Sequence, residues 1–127
     1  MKRKTATWVR KAEDDWDAAC ELAARSPPLR DAACFHCQQA AEKYLKALLQ
    51  ELGVVVPRTH DLDTLLLILL PHDATLRPLR RGLRTLTRYA VDYRYPFERA
   101  TIRQTRSALK IAERTRKELR ARLRLSP

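Results

Sequence analysis

Only two glycines and two phenylalanines occur among the 127 residues. A phosphate-cradling loop needs several glycines, because only a bare Cα lets the backbone close on a ligand. Accordingly, neither Gly-x-Gly-x-x-Gly nor a Walker sequence is present. The same scarcity disfavours strands and favours helices joined at proline-marked breaks. Three cysteines, an odd number, argue against a disulfide scaffold. Cys34 and Cys37 make a lone Cys-x-x-Cys, whereas zinc wants two such pairs or added histidines. Both fall on an apolar stripe, where cysteine behaves as a small hydrophobe. No Glu-x-x-His pair suggests a di-iron bundle. The expectation is no metal and no cofactor.

Long apolar runs are missing as well. The longest, Leu65 to Leu70, is far short of the ~20 residues of a membrane span. Met1-Lys2-Arg3-Lys4 is basic, but the chain from Trp8 onward is amphipathic and charged, unlike a signal peptide. A soluble, cytoplasmic protein without membrane contact is expected. Its length suits one domain, residues 1–127, with a core that needs no staples.

What is abundant is positive charge. Twenty-six Lys and Arg face fifteen Asp and Glu, giving a net charge of +11 and a pI near 10.2. Arginines outnumber lysines nineteen to seven. A basic domain of this size points to an anionic partner: RNA, DNA, nucleotide or acidic protein. An arginine-rich host proteome is the bland alternative.

Hydrophobic periodicity predicts five helices. The first runs from about Thr5 to Ala24, capped by Thr5 or Thr7, with Trp8, Ala12, Trp16, Ala19 and Ala23 on its inner stripe; Ser26-Pro27-Pro28 ends it. The second runs from about Leu29 to Leu52, with Gly53 as C′ residue. Its stripe is Cys34, Cys37, Ala41, Leu45, Leu48 and Leu52, while His36, Gln39, Lys43, Lys46 and Gln50 fall opposite. Gln38 sits at the edge of the stripe, where a buried amide needs partners. A short apolar helix, capped by Asp61 or Thr59, ends before Pro71. The fourth runs from Thr75 to Asp92 with Pro78 in its first turn, and the fifth from Glu98 to Leu123, burying Ile102, Thr105, Leu109, Ala112, Leu119 and Leu123. Four long amphipathic helices with short connections predict an all-α, antiparallel up-and-down four-helix bundle with one additional short helix.

Arginine placement is the first functional candidate. Arg77, Arg81, Arg84 and Arg88 repeat at spacings of four, three and four; Arg99, Arg103, Arg106, Lys110, Arg114 and Lys117 share one arc of the last helix. Two such stripes suit a phosphate backbone, where each neutralised phosphate releases counterions. The competing reading is a solvated face balanced by Glu13, Asp14, Asp15, Asp17 and Glu21 of helix one.

Three stretches carry a family resemblance. They are Gln38-Gln39-Ala40-Ala41-Glu42-Lys43, then Arg58-Thr59-His60-Asp61-Leu62, then Tyr89 with Arg94-Tyr95-Pro96 before the last helix. In that order the chain resembles the HEPN family of small helical domains, in particular a small stand-alone prokaryotic member, from about Trp8 to Leu123. Many HEPN ribonucleases carry an Arg, four to six residues, then His, some with a Tyr two positions on. Here Arg88 and Tyr95 keep that spacing, but Tyr93 stands where the His would be. A tyrosine of pKa ~10 is a poor base at neutral pH. Arginine still pairs bidentately with phosphate, and tyrosine stacks on bases. Tyr89, Tyr93 and Tyr95 could equally be half-buried bundle residues. Arg30 and His36 repeat the Arg-to-His spacing outside the family's position and are read as coincidence. His60 either fixes its loop by hydrogen bonds or lines the same cleft as Arg58; the structural role is favoured.

The resemblance implies a nucleotide- or RNA-binding module, acting as a homodimer with a small nucleotidyltransferase partner and not itself strongly catalytic. The alternative is a metal-independent endoribonuclease toxin of a toxin–antitoxin pair; a scaffolding homodimer without a ligand is a third reading. The candidate binding residues are Arg84, Arg88, Tyr93, Arg94, Tyr95, Arg99, Arg103, Arg58 and His60. Catalytic roles, if any, would fall to Arg88 and Tyr93. For the dimer, Phe35 lies about 120° from the apolar stripe beside Gln39 and Lys46. An exposed Phe there is explained by an interface.

Overall fold

The computed structural model describes all 127 residues and contains helices without strands. Helix α1 spans Arg3–Ala24, α2 Arg30–Glu51 and α3 Leu62–Leu69; a 3₁₀ turn over Ala74–Leu79 leads into α4, Arg80–Asp92, and α5 is Ile102–Arg122. The result is an all-α helical bundle with one short extra helix.

Long-range contacts give the direction of each helix. Thr5 at the start of α1 donates to Glu51 at the end of α2, so these two run antiparallel. Arg30 reaches Ala100, and Arg120 reaches Tyr44, so α2 and α5 run parallel. Helices α2 and α5 form the closely packed diagonal of the bundle, whereas α1 and α4 do not touch. Small side chains permit this approach: Cys34, Cys37 and Ala41 on α2, and Thr105, Ala108, Ala112 and Thr115 on α5, are all buried. Leu45, Leu49, Leu62, Leu65, Leu66, Leu83, Leu86 and Leu119 fill the remaining core. Each such leucine contributes roughly 1.5–3 kcal/mol by leaving water.

Because α2 meets α1, α3, α4 and α5, more of it is buried than one stripe accounts for. Lys46, expected on the solvent side, is only 6 % exposed. Its ammonium pairs with Glu42 at 3.0 Å and lies 5.6 Å from the centroid of the Trp8 ring. Glu42, also buried, accepts as well from Gln38 Nε2 at 3.3 Å and lies 2.9 Å from His60 Nδ1. Gln38 Nε2 also donates to the His60 carbonyl at 2.8 Å, so the Gln38 amide finds the partners it needs. This cluster ties the linker before α3 to the middle of α2.

Several expected boundaries shift. Lys2 occupies the α1 N-cap with no side-chain bond, and Thr5 is instead buried. Asp61 does cap α3, accepting from the Asp63 N–H, and Gly53 adopts φ 73° at the end of α2. The regular fourth helix starts after Pro78, because proline offers no amide donor and the turn before it closes as 3₁₀. Helix α5 starts at Ile102, not Glu98: Thr101 and Gln104 form a capping box that sets the first turn. Ile102, expected inside, is 57 % exposed, and Leu52 and Leu67 are each 44 % exposed.

Candidate nucleic-acid interface

The cations sort into two groups by their partners. Arg116 makes a bidentate pair with Glu13 at 2.7 Å, and Arg120 binds the same carboxylate at 3.5 Å. Arg80 pairs with Asp63 at 2.8 Å, and Arg122 with Asp73 at 3.2 Å. Asp15 takes His36 at 2.8 Å and also Lys43. Helix-one acids therefore balance the inner edge of α5 and Lys43 of α2, and hold the His36 ring. They do not reach the α4 row. Arg77, Arg81, Arg84 and Arg88 are exposed, make no ion pair, and line one continuous surface with Pro78, Arg80 and Thr85. Arg103, Arg106 and Lys110 line a second surface on α5 with Ile102, Ser107 and Ile111, and are likewise exposed. The two helices touch where Gly82 meets Ile111, so the rows run on adjoining helices.

A distinct cleft lies between the first turns of α2 and the end of α4. Asp31, Ala32, Phe35, Tyr89, Ala90, Tyr93 and Arg94 line an open cleft of about 220 Å³. The Tyr89 and Tyr93 rings stand 5.6 Å apart at 32°. The loop after α4 is pinned at its far end by α2: Arg30 Nε donates to the Ala100 carbonyl at 2.9 Å, and the Ala100 N–H donates to Asp31 Oδ1 at 2.7 Å. Phe35, 38 % exposed, thus forms a cleft wall. Gln39 Nε2 donates to Gln38 Oε1 at 2.7 Å, and Lys46 is turned into the Glu42 cluster. The exposed surface around Phe35 consequently lacks Lys46.

The other expected site residues are dispersed. Arg94 and Tyr93 share the cleft, while Tyr95 projects into solvent. Arg99 lies with Arg30 and Asp31 at the start of α2. Arg58 is exposed on the linker, and His60 is committed to Glu42. Asp31 escaped the sequence reading; its one signal is the four-residue spacing to Phe35, which puts both on one helix face. Cys34 and Cys37 are core residues, with burial pushing the Cys34 thiol up to about 11 and Cys37 further.

Residues 5–122 match the HEPN domain family. The chain belongs to the HEPN family. It is similar to the crystal structure of TT1696 from Thermus thermophilus, at 26% identity and a TM-score of 0.81, covering 94% of this chain and 98% of that one. It is also similar to ST0689, an archaeal HEPN homologue, at 25% identity and a TM-score of 0.75, covering 96% of this chain and 98% of that one. No curated protein matches.

In this HEPN chain Arg88 and Tyr93 line different surfaces, Arg88 outward with the α4 row and Tyr93 toward α2. Burial, helped by Cys34 and then Tyr89, pushes the Tyr93 hydroxyl up to about 12. At neutral pH it is protonated and offers a hydrogen-bond donor and a ring face, not a base.

Proposed function

We propose that this HEPN domain is an RNA- or nucleotide-binding module, assembled as a homodimer with a small nucleotidyltransferase partner and not itself strongly catalytic. HEPN domains are often RNA-binding or nucleolytic. The observation that carries the binding reading is the pairing asymmetry. Arg77, Arg81, Arg84 and Arg88 make no ion pair: Asp63, the acid beside this surface, is held by Arg80 and reaches Arg84 only at longer range, while Glu13, Asp15 and Asp73 pair with cations elsewhere. Four unpaired arginines on one surface repel one another, and an external polyanion relieves that repulsion while releasing its counterions. The protonated Tyr93 supports the non-catalytic side of the reading.

Salt titration of binding to a labelled single-stranded RNA tests it. Replacing Arg84 and Arg88 with alanine should weaken binding and flatten the log K against log salt slope by about 1–2 units. An unchanged slope would move the site elsewhere, and no binding at low salt would leave only scaffolding. Light scattering at high micromolar concentration should give a dimer; a monomer would remove that part of the proposal. The ribonuclease reading is kept alive by one observation: Arg88 is exposed and free to hold phosphate.

A further inference from the structure

Two four-residue pairs face each other across the α2–α4 cleft. Asp31 and Phe35 come from one helix face; Tyr89 and Tyr93 come from the other side. Ala32 and Ala90 leave space between them, and the cavity of about 220 Å³ falls below the ~300–1,000 Å³ of drug-sized sites. It suits one flat ring system walled by aromatic faces. Within it stands an acid with spare capacity. Asp31 Oδ1 accepts the Ala100 N–H at 2.7 Å, yet no cation pairs with the carboxylate and Oδ2 has no partner. Each carboxylate oxygen has two lone pairs, so both can still accept from a ligand.

Nucleobases differ in what they offer such an acceptor. Guanine presents two adjacent donors, N1–H and the N2 amino group, on its Watson–Crick edge. Adenine and cytosine present one amino group beside a ring-nitrogen acceptor. Uracil presents one N–H between two carbonyl oxygens, which a carboxylate repels. A site built to pair both donors also rejects bases that leave it unpaired. We infer that the Asp31–Phe35–Tyr89–Tyr93 cleft is a base subsite selective for guanine, with Asp31 its specificity-determining residue. The inference rests on the nucleic-acid reading above and deepens it: the arginine rows hold phosphate without regard to sequence, and the cleft reads one base.

The test uses the full chain and labelled RNAs of roughly eight nucleotides, within the ~4–16 nucleotides of single-strand sites. All are uridine except one central position, which is guanosine, inosine, adenosine or uridine. Guanosine should bind about tenfold tighter than adenosine or uridine, with inosine, lacking the N2 amino group, between them. Asp31→Asn keeps an oxygen for the Ala100 N–H but turns an amide donor on the base. It should erase the guanosine preference, bringing the guanosine and all-uridine strands to about the same affinity. Equal binding of guanosine and adenosine strands by the wild-type protein would overturn the inference and leave the phosphate reading intact. A preference that survives in Asp31→Asn would overturn it too. No binding of any strand at low salt would sink both. Competition with GMP separates the two sources of the base. Displacement at the affinity of the guanosine strand would assign the cleft to a free nucleotide, and much weaker displacement to a guanine within a strand; both support guanine recognition.

Discussion

Arg116 and Glu13, 103 residues apart in the chain, meet as a bidentate ion pair with both contacts at 2.7 Å. The pair joins α1 to α5, and Tyr44 of α2 donates to the same carboxylate. One acid of the first helix thereby closes three helices on each other.

That closure has a pH dependence. The Arg116 hydrogen bonds hold the Glu13 carboxyl below its ordinary range, against an opposing push from burial. Its folded pKa lies below its unfolded one. The stabilisation is therefore fully present above the ordinary carboxylate range and is lost as pH falls through the lowered value. Urea unfolding should show a stability loss on acidification that is smaller in Glu13→Gln. Arg116→Ala at neutral pH should cost roughly 1–2 kcal/mol, between an exposed pair and a buried one.

The buried pair of α2 should respond more strongly. Glu42→Gln leaves the Lys46 ammonium buried without its counter-charge and should destabilise by about 3–5 kcal/mol. Replacing both residues with leucine should recover most of that loss. His60→Ala should cost far less, since the His60 side chain is 77% exposed. Chemical denaturation of the variants checks the order. A double variant no better than the single one would mean that shape, not charge, governs this site.

Gly82 of α4 lies against Ile111 of α5. A Cβ there would meet Ile111 Cγ2 at 3.1 Å and Cγ1 at 3.2 Å. Gly82→Ala gains roughly 0.5–1 kcal/mol of helix propensity and loses some of it to the squeeze on Ile111. Gly82→Val, with two further methyl groups, should destabilise by about 1–3 kcal/mol. Combining Gly82→Ala with Ile111→Ala removes both contacting γ carbons, so the double variant should melt above Ile111→Ala alone.

Cleavage is the fourth prediction. General acid–base assistance supplies ~10²–10⁴-fold in rate, and a hydroxyl pushed up to about 12 supplies little of it at pH 7. The wild-type protein should leave a mixed RNA pool intact in EDTA. Robust cleavage abolished by Arg88→Ala would instead establish the ribonuclease reading. Activity that persists in Arg88→Ala would point to a contaminant or to Arg58 and His60. Tyr93→His, which restores a group titrating near neutrality, is the variant to run beside it.

Periodicity alone locates the helices and most of the core: Cys34, Cys37, Ala41, Leu45 and Leu48 are all buried as their spacing requires. It fails where its premise fails. A single apolar stripe assumes one packing partner, and α2 has four, so the stripe puts Lys46 on the wrong side. The start of α5 is written in the chain as Thr101-x-x-Gln104, a capping signal that the preceding proline overshadows. The candidate cleft is half legible. Arg94 is visible through the resemblance to HEPN and Tyr93 because it stands at the family's His position, but Asp31 is not, because its role depends on facing residues about sixty positions later.

By itself, then, the amino-acid sequence determined the helical class, the family and the excess of positive charge. These follow from short-range spacing and composition, which need no knowledge of what lies across the core. Only the tertiary structure decided which arginines are free. Folding brings Glu13 into a bidentate pair with Arg116, whereas Arg84 makes no ion pair because the nearby Asp63 is held by Arg80. Ion pairing falls off within a few ångströms, and the distances that matter are set by helices far apart in the chain.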